Sequence, residues 1–164
     1  VTSQNTGKTP LTTNTAIRYL LNNAANIDEA LDMLNNIDMH SDIGAAHHYA
    51  MTDASGKSVV VEYVDNQMIA TPTQAVTNHY LCEAKRNVGL YHFDTRYDQL
   101  CEQYSQAAGI MSKQDFTTAI ASVAQPTNGD FWGTIWTMVM DLSAPSVTYY
   151  SRRNFDKPFE FRMK

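Results

Sequence analysis

The stretch Ser58–Val64, SVVVEYV, constrains this chain more than any other. It is crowded with β-branched and aromatic residues, a composition that suits a pleated, buried surface. Tight turns bracket it. Asp53-Ala54-Ser55-Gly56-Lys57 comes before, with Gly56 free to take positive φ, and Asp65-Asn66 comes after. Turns this short join antiparallel neighbours and cannot carry a parallel crossover. Residues 45–52 (AAHHYAMT), 58–64 and 67–71 are therefore expected to form an antiparallel meander. Pro72 interrupts pairing, and 75–78 (AVTN) is expected as a last short strand.

Helical periodicity flanks the meander. Ala16, Ile17, Leu20 and Leu21 recur at helical spacing within 12–24. Asn26 is a good N-cap, with Glu29 three residues on, and Ile27, Ala30, Leu31 and Leu34 predict a second helix ending near Asp38. Past a loop over 79–93, residues 94–108 predict a helix with Tyr97, Leu100, Cys101 and Tyr104 on one face and Gly109 as its stop. Ser112 caps a further helix over 113–124, with Phe116, Ala119, Ile120 and Val123 inward. Strands are expected at 132–142, 147–151 and 159–163, with Trp132 and Trp136 on one face as core. Helices packed on mostly antiparallel sheets give the α+β class. The 164 residues fit a single domain, with 1–11 polar and expected to be flexible.

Charge and composition exclude several functions. With 43% hydrophobic residues the chain can build a core. A net charge of −5, and no basic cluster denser than Arg152-Arg153, argue against nucleic acid or an anionic membrane as partner. No apolar run is long enough to span a bilayer, and the polar start is unlike a signal peptide. The compartment stays open, with the cytoplasm favoured. Cys82 and Cys101 are read as free thiols, a single bridge between them staying open. The histidines at 40, 47, 48, 79 and 92 form no metal-binding motif, and His47-His48, in an expected strand, would point to opposite faces. No metal or cofactor is expected.

Few residues suggest chemistry by themselves. Asn78 is at home as a turn asparagine. Arg96 reads as a helix-surface ion pair, although a helical first turn gives a cation no help from the macrodipole. Cys82, His92 and Asp94 could be drawn as a thiol triad, but no motif orders them, and a buried, inert Cys82 is the better reading. Cys101 falls on an apolar helical stripe and is expected as core. Asp53 and Asp141 end strands before turns and look structural.

Taken in order, TTNTAIRYLLNNAANIDEALDML, DASGKSVVVEY, AVTNHYL, DTRYDQL and IWTMVMDLSAPSVTYYSRRNFDKPFEF resemble the linear amide C–N hydrolases. That group includes choloylglycine hydrolase, penicillin V acylase and an acyltransferase-like branch, all N-terminal-nucleophile hydrolases. The resemblance implies part of an αββα sandwich of antiparallel sheets and helices. It implies hydrolysis of non-peptide amides by a cysteine at the chain terminus, whose free α-amino group is the base. This sequence begins at Val1 and lacks that cysteine and the arginine and aspartate that accompany it. The resemblance is thus to the C-terminal portion of the catalytic domain, and the chain alone is expected to be inactive.

Within the resemblance, Asn78 matches the asparagine of a Thr-Asn motif that donates to the oxyanion. Arg96, in Thr95-Arg96-Tyr97, matches an arginine that holds the site's polar network. His79, read apart from the resemblance, is expected to border the substrate, with a strand-edge residue as the alternative. The partners implied are a small-molecule amide, the missing N-terminal segment and a second copy of the chain. A different class of function stays open beside this one: a non-catalytic α+β module that self-associates or binds a partner through an exposed sheet face.

Overall fold

The computed structural model describes residues 3–86, 94–126 and 133–162. The chain divides into two compact units, Val1–Asp94 and Thr95–Lys164. Elements of the first are β1 (Thr9–Thr12), α1 (Thr13–Asn23), α2 (Ile27–Asn35), β2 (Ile37–His40), β3 (Tyr49–Thr52), β4 (Ser58–Val64) and β5 (Gln67–Pro72). A 3₁₀ turn follows at Glu83–Lys85. Elements of the second are α3 (Thr95–Gln106), α4 (Lys113–Ser122), β6 (Trp136–Asp141), β7 (Ser146–Ser151) and β8 (Phe159–Arg162). Among the described residues no helix is long and apolar enough to cross a membrane. The expected α+β class, with mostly antiparallel sheets, is what the chain adopts.

The meander forms around its strongest strand. β4 pairs antiparallel with β3 (Tyr49↔Val61) and with β5 (Val61↔Ala70). Gly56 sits at φ +87° in the first turn, and Asp65 and Asn66 at +50° and +67° in the second, the two positive values that a two-residue hairpin requires. Every residue of β4 from Val59 to Val64 is buried, so both faces of this central strand are covered. Val61 and Tyr63 point into a cluster with Ala16, Leu20, Ala30, Leu34, Ile37 and Met39, the apolar stripes of α1 and α2 and the strand that follows them. The Asn26 cap forms as expected: its side chain accepts the Glu29 N–H at 3.0 Å, while the Glu29 carboxylate takes the Ala25 N–H and the Asn26 Nδ2–H.

Three local expectations are corrected. The second helix stops at Asn35, and residues 37–40 form β2, paired parallel to β1 (Leu11↔Met39). The Leu34–Ile37 spacing reads as helical, but Asp38 is needed elsewhere. Its buried carboxylate accepts the backbone N–H groups of Thr6, Gly7 and Lys8 and the Thr6 hydroxyl. These bonds, with buried Gln4 bonded both ways to the Met39 backbone, fasten a segment whose polarity suggested flexibility. Secondly, 45–48 do not pair in the sheet; Ser41 Oγ accepts from the Ile43 and Ala45 N–H groups and curls that stretch into a loop. Thirdly, 75–78 are not a strand, because the Thr73 hydroxyl bonds both the N–H and the carbonyl of Ala75 and turns the backbone away from the ladder.

In the second unit α3 and α4 adjoin, with Gln99 and Gln103 each donating a side-chain N–H to Ser122 Oγ. Gly109 closes the first helix at φ +78° and Ser112 caps the second by accepting the Asp115 N–H, both as expected. Tyr97, Leu100, Cys101 and Tyr104 share a half-buried stripe, so Cys101 is a flank of the packing and not its centre. Phe116, expected inward, is 42% exposed, and the neighbouring Thr117 takes the buried place. β6, β7 and β8 form an antiparallel sheet in that order. Trp136, expected in the core, is 53% exposed. Trp132 and Met163 lie outside the described residues.

Candidate functional site

In the first unit a cavity of about 310 Å³ is lined by Ala46, His47, His48, Asn78, His79 and Tyr80. Two loops build it: the one leading into β3 and the one leaving β5. Both depart from the regular lattice for the local reasons given above, the Ser41 turn and the Thr73 turn. Two of the residues singled out in the sequence, Asn78 and His79, line it together. Asn78 is exposed and His79 buried, with His79 Nδ1 3.0 Å from Thr77 Oγ1.

The expectation that His47 and His48 point to opposite faces of a strand is overturned. Neither is in β3, and both line this cavity. His47 Nδ1 is 3.0 Å from the Ala45 carbonyl, which can only accept, so the proton is on Nδ1. Its Nε2 is buried without a hydrogen-bond partner among the described residues. Among those residues no group of three or more His, Cys, Asp and Glu could hold a metal.

Beneath the cavity lies the residue that sequence reading missed. Glu62, in the middle of β4, has no exposed surface. Its Oε1 accepts the Leu81 N–H at 2.8 Å and lies 3.4 Å from His48 Nδ1; its Oε2 accepts the Cys82 N–H at 2.7 Å. Burial opposes its charge, but His48 and the two backbone amides outweigh burial and hold the carboxyl below its ordinary range. The signal was present as one charged residue in SVVVEYV, since a carboxylate in a doubly covered strand must find donors. Which donors it finds depends on the fold of a loop nineteen residues later.

Glu62 also settles the state of Cys82. This thiol is 4% exposed, and burial first, then the neighbouring carboxylate, push its pKa up. A thiol in that setting is a poor nucleophile. His92, the middle member of the triad considered above, lies outside the described residues. Asp53 and Asp141 are turn residues: Asp53 accepts from Ser55 and from the first N–H of α2, and Asp141 from Ser143 and Ala144. Arg96 belongs to the second unit, as the second residue of α3, and is half-buried.

The structure is similar to that of penicillin V acylase from Agrobacterium tumefaciens, with a TM-score of 0.68 and 18% sequence identity. The match covers 96% of this chain and 57% of that one, so the chain spans a little over half the length of that protein. The shared fold is that of the N-terminal-nucleophile hydrolases, as the resemblance implied. No curated protein sequence matches. The family model described as acyl-coenzyme A:6-aminopenicillanic acid acyl-transferase matches residues 2–156, nearly the whole sequence. The chain belongs to that family.

Proposed function

We propose that this chain carries the carbonyl-polarising wall of a site that cleaves non-peptide linear amides to an acid and an amine. The observation that supports this most directly is Asn78, which lines the cavity beside three histidines in a chain of this family. Its side-chain amide offers N–H donors to the oxygen of an attacked carbonyl, where negative charge develops. His79 lines the same cavity as a substrate contact. Arg96, in the first turn of α3 in the second unit, gains nothing from the helix dipole. Neither thiol of the chain is the nucleophile, since Cys82 is buried against a carboxylate and Cys101 lies on a packed helical stripe. In this reading the attacking thiol is supplied from outside these residues, which match 57% of the length of the penicillin V acylase chain. Substrates are conjugated bile salts, N-acyl amino acids or penicillin V-like acyl amides. The test is release of amine from glycocholate, penicillin V and N-acyl amino acids by the parent protein. Release from at least one is expected, and a folded protein that cleaves none contradicts the reading.

One observation favours a second reading, an association module. In the β6–β7–β8 sheet Trp136, Met138, Met140, Phe159 and Phe161 are all at least 39% exposed. The register sets Met138 beside Tyr149 and Phe159, and Met140 beside Val147 and Phe161, so these side chains share one face. A contiguous apolar face of this kind is a place of association.

A further inference from the structure

Glu62 does more than satisfy itself. A carboxylate has no proton to offer, so of the pair Glu62 Oε1 and His48 Nδ1 the ring must be the donor. A carboxylate behind an imidazole in this way fixes both its tautomer and its orientation. In the neutral form of His48 the lone pair is then on Nε2, and the residue lines the cavity. The other oxygen contacts pin Leu81 and Cys82, and so hold the end of the loop that carries Asn78 and His79.

The cavity is therefore lined by two unlike residues: Asn78, whose carboxamide can donate, and His48, whose Nε2 can only accept while the ring is neutral. A secondary amide presents the matching pair, a carbonyl oxygen that accepts and an N–H that donates. An ester or a tertiary amide has no such N–H.

We propose that Glu62 is a positioning residue that presents His48 Nε2 to the N–H of the scissile amide, so that the site selects secondary amides over esters and tertiary amides. This deepens the function proposed above and rests on it for the reaction, though the placement of His48 does not.

Two measurements test it in the full chain. Long-range ¹H–¹⁵N correlation spectra of neutral His48 should show the Nδ1–H tautomer, and Glu62→Gln should move it toward Nε2–H, since the glutamine amide cannot accept from all three donors. The second compares kcat/KM for phenoxyacetyl anilide and phenoxyacetyl phenyl ester. In Glu62→Gln, and in His48→Phe should the first variant not fold, the amide-to-ester ratio should fall about tenfold or more, the scale of one lost hydrogen bond to a desolvated group. An unmoved ratio, or an Nε2–H tautomer in the parent protein, overturns the proposal. Failure of the parent protein to cleave either compound overturns the amide-cleaving reading, while the tautomer spectra still decide whether Glu62 sets His48.

Discussion

Glu62 Oε2 accepts the Cys82 backbone N–H at 2.7 Å, across nineteen intervening residues of hairpin and loop. This bond joins the most buried strand of the chain to the segment just past Asn78. It also places a carboxylate beside the Cys82 thiol, which burial already disfavours as thiolate. Cys82 should therefore alkylate with iodoacetamide at pH 8 about tenfold or more slowly than free cysteine, and reach the free rate only on unfolding. Cys82→Ala should leave turnover by the parent protein within about threefold. Fast labelling of the native protein, or loss of turnover in the variant, would restore Cys82 as a nucleophile.

Asp38 makes a pH-dependent contribution to stability. The Thr6 hydroxyl, and then the N–H groups of Thr6, Lys8 and Gly7, outweigh burial and hold its carboxyl below the ordinary 3.8. A depressed folded value means that the carboxylate stabilises the native state above the unfolded value, and that this is lost as pH falls through the lower folded one. Melting temperature should therefore fall as pH drops below 3.8. Asp38→Asn should melt lower than the parent at pH 7 and show a shallower decline in acid. Equal melting temperatures at pH 7 would show that the three backbone amides do not need the charge.

The apolar face of the last sheet should govern association. Trp136→Asp and Phe161→Asp replace exposed side chains, so neither opens a hole in a core. If this face is an interface between two copies, sedimentation equilibrium at micromolar concentration should show a dimer in the parent chain and a monomer in the variants. A stable interface of this kind removes about 800 Å² from each partner. A monomeric parent chain with a cooperative melt would contradict the association reading.

Much of this fold is legible in the sequence where one local rule acts alone. The positive-φ turns at Gly56 and Asp65-Asn66, the caps at Asn26 and Ser112 and the stop at Gly109 each rest on side chains within a few residues. The readings that failed are those in which a distant partner, or a side-chain turn competing with the ladder, decides. Ile37–His40 became a strand because Thr9–Thr12 pairs with it, against a helical spacing. Residues 75–78 left the sheet for a single threonine hydroxyl. Trp136 reads as core from its bulk, yet an apolar strand has two faces and the alternation buried Thr137 and Val139 in its place. For the site, the Thr77-Asn78 motif is legible at once, whereas the cavity wall is not. His47 and His48 reach it only because the loop before β3 is not strand, and Glu62 only because its donors come from Leu81 and Cys82.

The central claim, that the Asn78 amide stabilises the oxyanion of an attacked amide, is tested most directly by kcat of Asn78→Ala in the parent protein. Asn78 is exposed and sits in a loop, so the variant should fold and melt as the parent does. Loss of one oxyanion donor should lower kcat by about 10²–10³, roughly 2.7–4 kcal/mol, on whichever amide is cleaved. A folded Asn78→Ala protein with unchanged kcat would contradict the account.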